Sequence, residues 1–259
     1  MSAGFDPLFF KGDPLFWPIA SGARAFADHD RWPAVSEYGE RLAHRASVTF
    51  REQPKKPRGR RRGPRCARDL YDGRIVEEGW VPTRPENWHD FLNMLCWAAF
   101  PRAKWQLHHR QHEAQSARIE GAVKLLPNAR TREQDALALL DEGGAIVACR
   151  DDALDELSAR LRDRRRDEAR ALFASGAARG LVFGHAVYEH LVFGRGDAWA
   201  ACVLVPSGPH LAESAGRDPA AERALIDHVD AHLAQALSTP GSFASPEELA
   251  RIDLALLRA

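Results

Sequence analysis

The sequence has no apolar run of the roughly 20 residues needed to cross a bilayer, so nothing in it argues for a membrane span. It has no surplus charge either. Its 36 Lys and Arg balance 36 Asp and Glu, and no global field favours nucleic acid or a membrane surface. Cysteine is scarce. Cys66, Cys96, Cys149 and Cys202 fall at no metal or redox spacing and read as reduced thiols of a cytoplasmic protein. The opening MSAGFDPLFFKGDPLFWPIASG lacks a basic stretch followed by a long apolar one. Pro7, Pro14 and Pro18 interrupt it and Asp6 and Asp13 charge it, so it does not read as a signal peptide. There is no P-loop, no dinucleotide glycine fingerprint, no nucleophile-elbow serine, no HExxH and no paired CxxC. A standard nucleotide-binding or serine-hydrolase assignment therefore has no footing.

What is present is enough apolar material, 45% of 259 residues, to bury a sizeable core. The pattern predicts an α+β fold: one mostly helical domain with a small β-hairpin or sheet. An N-terminal arm and helices occupy 1–53, a basic loop 54–68, and the main helical part 69–259, the first and last forming one folded unit. In the arm, DPLFF and DPLFW repeat one pattern, each pinning the chain to the body by its aromatics. Helices are expected at about Ile19–Ala27 and Pro33–Arg45, with SVTFR as a strand. DALALLDEGGAIVAC is read as a hairpin near 135–149, turning at Gly143-Gly144. LVFGHAVYEHLVFG is read as an apolar helix ending at Gly194, and WAACVLVP as a strand. Two helices are expected to close the chain, DPAAERALIDHVDAHLAQAL and SPEELARIDLALLRA, the second with Ser245 and Glu248 as a capping box.

The run PKKPRGRRRGPRCAR holds Arg58, Arg60, Arg61, Arg62 and Arg65 with no acid and no aromatic. Such a run can neutralise nucleic-acid phosphates, but it offers no ring on which a base can stack. The plain alternative is a solvated insertion.

The chemistry-bearing candidates lie on apolar helices. In NWHDFLNMLCWAAFPRAK, a helical wheel puts His89, Asn93, Cys96 and Phe100 on one strip beside an apolar stripe of Trp88, Leu92, Leu95 and Ala99. A histidine near a helix N-terminus is disfavoured as a cation, so His89 should be neutral, as a general base or metal ligand must be. The other reading is a core histidine bonded to a carbonyl. Asp90 either serves a capping box with Asn87 or lies a turn inside a helix begun at Thr83, where it needs a partner. Pro101 should end or kink this helix, leaving Lys104 to fold back toward carboxylates or face water. On the other apolar helix, His185 and Glu189 are one turn apart and spaced to pair. Asp141 and Glu142 are placed at the hairpin tip. HHRQHE, with His108 and His112 at a metal-capable spacing, looks like an exposed face, as do His228 and His232.

VPTRPENWHDFLNMLCWAAFPRAK, DALALLDEGGAIVAC and LVFGHAVYEHL together resemble an uncharacterised bacterial family, domain-of-unknown-function family 3025, from about Tyr71 to Val205. The resemblance rests on Asn87, Trp88, His89, Asp90, Asn93, Trp97, Pro101, Lys104, Asp141, His185 and Glu189, and implies a cytosolic bacterial protein. It implies no activity. The Arg-rich run stands as an insertion before the shared part, and the tail IDLALLRA lacks the expected Pro/Gly-rich ending.

The leading expectation is a hydrolytic enzyme or small-molecule-binding protein with a His/Asp/Glu pocket, dependent on a divalent metal. His89, Asp90, His185 and Glu189 would be catalytic, with His89, His185 and Glu189 holding the metal. Asn93, Trp97, Lys104 and Asp141 would contact a small-molecule substrate. The alternatives are a nucleic-acid- or ribosome-associated protein using the Arg-rich loop, and a structural module whose polar groups satisfy one another in the core.

Overall fold

The computed structural model describes residues 4–42, 46–53, 66–119, 130–195 and 198–258. The basic residues Arg58, Arg60, Arg61, Arg62 and Arg65 lie outside the described residues. The chain is a mostly helical α+β domain. Its first helices are α1 (Trp17–Ala23) and α2 (Val35–Leu42), followed by strand β1 (Thr49–Glu52). Next come α3 (Tyr71–Glu78) and β2 (Trp80–Thr83), which lies parallel to β1 in a two-stranded sheet. The helices α4 (Trp88–Ala99), α5 (Pro101–Ser116) and α6 (Arg132–Gly143) lead into β3 (Gly144–Cys149). A helix pair, α7 (Leu154–Arg162) and α8 (Arg166–Ala174), returns the chain to β4 (Ala178–Val182), and α9 (His185–Val192) to β5 (Trp199–Pro206). The chain ends in α10 (Gly208–Ser214), α11 (Pro219–Ser238), β6 (Ala250–Asp253) and the single turn α12 (Leu254–Leu257). The second sheet runs β4-β3-β5-β6, with β3 parallel to β5 and the outer pairs antiparallel. Every residue of β3 is buried, as a central strand covered on both faces requires.

Local chemistry sets the elements that carry the site. Asn87 caps α4, its side-chain oxygen accepting the Asp90 N–H at 3.1 Å. Pro101 cannot continue α4 and sits in the first turn of α5 instead. Asp230 of α11 accepts the N–H groups of Arg102 and Ala103 at 3.2 and 2.8 Å, a cap supplied from another helix. The arm is held by its aromatics: Phe9 packs edge-on to Trp88 at 5.1 Å, and Phe16 stacks on Tyr188 at 5.6 Å.

Three local expectations are corrected. The hairpin near 135–149 is not formed: α6 runs to Gly143 and passes directly into β3. Ala136, Leu137, Leu140 and Asp141 are buried at helical spacing, and Thr131 with Gln134 forms a full capping box, so the helix wins over the glycine pair. Gly144 is required because a Cβ there would lie 2.2 Å from the Leu140 carbonyl oxygen. The 181–194 stretch is divided, with Leu181 and Val182 in β4 and the helix starting at His185. Phe183 and Gly184 both donate to the Gly144 carbonyl, at 3.0 and 2.9 Å, which sets the start of α9 beside the end of α6. The closing SPEELARIDLALLRA is not one helix. Residues 250–253 pair with β5 as β6, burying Ile252, and Asp253 then caps α12.

Candidate metal centre

The packing of α4 against α9 brings two histidines 96 residues apart into contact. His89 stands in the first turn of α4 and His185 is the first residue of α9. Their Nε2 atoms lie 2.9 Å apart, with ring centroids 4.3 Å apart and planes at 76°. Glu142, the penultimate residue of α6, completes the group. Its Oε2 lies 3.3 Å from His185 Nε2 and 3.8 Å from His89 Nε2. These three ligand atoms all fall within 4.8 Å of one another.

Glu189 sits on the far edge of the His89 ring, with Oε2 3.0 Å from Nδ1. A carboxylate there accepts the Nδ1–H and leaves the Nε2 lone pair facing His185 and Glu142. In place of the expected His185–Glu189 pair along α9, Glu189 therefore reaches across to His89. The third member of the cluster is Glu142, not Glu189.

Electrostatics keep His185 in the neutral form that a ligand needs. Burial, and then the nearby Lys104 ammonium, push the His185 imidazole down to about 3, so it is neutral at pH 7. The Glu142 carboxyl is raised by burial and by the neighbouring Asp141. His185 is 3% exposed, whereas the side chains of His89 and Glu142 are 27% and 50% exposed, so the cluster opens to solvent on one side.

The remaining expected residues lie deeper or elsewhere. Asp90 does not join the cluster: Arg84 grips its two oxygens at 2.7 and 3.0 Å, and it serves the helix start. Lys104 is fully buried and its Nζ meets Asp141 Oδ1 at 2.5 Å. Burial alone would raise the Asp141 carboxyl, but Lys104, then His108, hold it well below the ordinary carboxylate range. Asn93 donates to the Tyr71 hydroxyl at 3.1 Å, and Trp97 stacks on His108 at 5.4 Å with planes only 9° apart. His108 is 1% exposed, contrary to its reading as part of a solvated face. Its Nδ1 meets Asp72 at 2.8 Å, Gln115 donates to the other Asp72 oxygen at 2.7 Å, and its Nε2 faces Asp141 at 3.9 Å. The signal for its burial is in the sequence: Ala103, Lys104, Leu107, His108 and Gln111 are buried at the three- and four-residue spacing of one helix face. His112 also finds an acid, Glu77 at 3.0 Å, while His228 donates its Nε2–H to the Pro206 carbonyl oxygen at 2.8 Å.

The model of the family described as "Protein of unknown function (DUF3025)" matches residues 61–255. The chain belongs to the DUF3025 family. The matched region contains His89, Glu142, His185 and Glu189 and the buried network behind them. It also runs further than Tyr71–Val205, starting within the basic run and taking in the first half of the tail IDLALLRA, so neither is wholly outside the DUF3025 part. No curated protein and no solved structure matches the chain. Among the described residues no helix is long and apolar enough to cross a membrane.

Proposed function

We propose that this DUF3025 protein is a divalent-metal-dependent hydrolase acting on a small molecule, with zinc as the first candidate ion held by His89 Nε2, His185 Nε2 and Glu142. The observation that carries this is the triangle of ligand atoms, with edges of 2.9, 3.3 and 3.8 Å. Tetrahedral zinc with ligands at about 2.0–2.1 Å requires edges of about 3.3–3.4 Å, so an ion fits with shifts of about half an ångström. Three protein ligands with an exposed side are the pattern of a catalytic rather than a structural zinc site. Bound there, the ion would supply a Lewis acid and an activated water.

The chain's own groups prepare the site. Glu189 fixes the His89 tautomer, burial keeps His185 neutral, and the Lys104–Asp141 pair anchors the end of α6 that presents Glu142. A purely structural reading accounts for the buried Lys104–Asp141 and His108–Asp72 contacts. It does not account for two partly exposed glutamates converging on a histidine pair, since exposed carboxylates have water and need no such partners.

The test is a zinc titration of metal-free protein against a chromophoric chelator. One tight site per chain is expected, lost in His185→Ala and Glu142→Ala while both variants keep their cooperative melting transition. Binding that survives both substitutions would defeat the proposal.

A further inference from the structure

A cleft of about 710 Å³ opens between the N-terminal arm, α1, the end of α8, β4, α10 and α12, and no residue of the histidine cluster lines it. The volume is that of a small-molecule pocket. Two of its cations are already occupied. Arg179 lies on Trp17, 3.9 Å from the ring centroid, with its guanidinium on Glu222 and on the Ser214 carbonyl. Arg258 meets Asp13 at 2.7 Å. These pairs use both carboxylates of the lining.

Lys11, Arg24 and Arg217 also line the cleft, and among the described residues none of them is paired with a carboxylate. The cleft thus carries three uncompensated positive charges in a chain whose net charge is zero. Arg24 lies over the Phe10 ring at 5.9 Å, and Phe173 adds a second aromatic wall. Arg217 holds a left-handed backbone conformation, φ 56°, tied by its N–H to the Ser214 carbonyl at 3.0 Å. An L side chain adopts that conformation at a cost, and such positions gather at ligand clamps.

We infer that this cleft binds a small organic phosphate: a molecule with two or three negative charges for Lys11, Arg24 and Arg217, and a flat or apolar portion against Phe10 and Phe173. Guanidinium forks match phosphoryl oxygens, and the ring walls reward a ligand that is more than an inorganic anion. The concave shape suits one compact polyanion rather than a nucleic-acid backbone, which needs an extended basic track. This site is independent of the metal centre.

Isothermal titration with ADP as the probe tests it, with pyrophosphate and adenosine as the other arms, in chelator-treated buffer so that phosphate cannot report through a metal. ADP should bind at one site per chain, pyrophosphate more weakly, and adenosine not measurably. The exposed pair Arg24→Ala and Arg217→Ala, combined, should weaken ADP at least about tenfold with an unchanged melting temperature. Arg162→Ala, at a residue that does not line the cleft, and the metal-centre variant His185→Ala should leave ADP affinity as it is. Absence of ADP binding at millimolar concentration, adenosine or pyrophosphate binding as tightly as ADP, or an unaffected double variant would each overturn the inference. Loss of ADP binding in His185→Ala would move the ligand to the metal centre and overturn it too.

Discussion

Replacing Lys104 with methionine removes a buried charge while keeping the length of its apolar stem. Lys104 is completely buried, and its ammonium is the nearest cation to Asp141, at 2.5 Å. Once it is gone, Asp141 keeps only the His108 ring at 3.9 Å and stays 8% exposed. Breaking a buried pair and stranding its partner costs about 3–5 kcal/mol. The lower end applies here, because the His108 ring still faces the carboxylate. A loss of about 3 kcal/mol in a domain of this size lowers the melting temperature by about 6–12 °C. Urea denaturation followed by tryptophan fluorescence measures it. The pH dependence gives a second check. In the native chain the Asp141 carboxyl lies below its unfolded value, so its contribution is present above about pH 4 and fades as pH falls further. In Lys104→Met that carboxyl is no longer held down, takes up a proton more easily, and the deficit against the native chain shrinks between pH 7 and pH 4. Adding Asp141→Asn should restore about 2 kcal/mol, since neither charge is then left alone. A Lys104→Met protein within about 0.5 kcal/mol of the native one, or no recovery in the double variant, would refute the reasoning.

The other expectations concern the cluster itself. Glu189→Gln should weaken zinc binding about 10–100-fold without altering the fold, because the carboxylate orients His89 from its far edge; competition with a chelator reads this. Gly184→Ala should cost about 3 kcal/mol and remove tight zinc binding together, since a Cβ there would lie 2.4 Å from both the Glu142 carbonyl oxygen and the Gly144 nitrogen; melting and zinc titration of the same sample check it. Because the His185 imidazole is held near 3 in the fold, against an ordinary value of about 6.5, its contribution to the metal-free protein is complete above about pH 6.5 and is lost as pH falls toward 3. His185→Gln should flatten that part of the stability–pH curve.

How far the sequence speaks depends on whether the decisive signal is local. The Asn87 cap, the break at Pro101 and the long period of α11 are local, and each matches the element formed. The glycine pair at 143–144 is local too, but it signals two things at once, a hairpin turn or a helix exit into a strand. The buried spacing of Leu137, Leu140 and Asp141 chooses the exit, and with it the position of Glu142. Read as a turn-tip residue, Glu142 has no reason to be a ligand; read as the last turn of a helix packed on α9, it does. His89 and His185 stand out as polar residues on apolar helices. Their contact across 96 residues is a tertiary fact that neither helix encodes alone. His108 is hidden by its polar neighbours His109, Arg110 and Gln106, although its own face is a buried stripe. The strand β6 escapes notice because ARID carries one apolar alternation between two stretches of good helix formers, and only pairing with β5 makes it a strand.

The most direct test of the metal centre is a crystal of zinc-loaded protein measured on both sides of the zinc absorption edge. One strong anomalous peak per chain is expected, about 2.0–2.2 Å from His89 Nε2, His185 Nε2 and a Glu142 oxygen, with Glu189 still on His89 Nδ1. A fully loaded crystal with its peak elsewhere, or with the two imidazoles still bonded to each other and no peak between them, would contradict it.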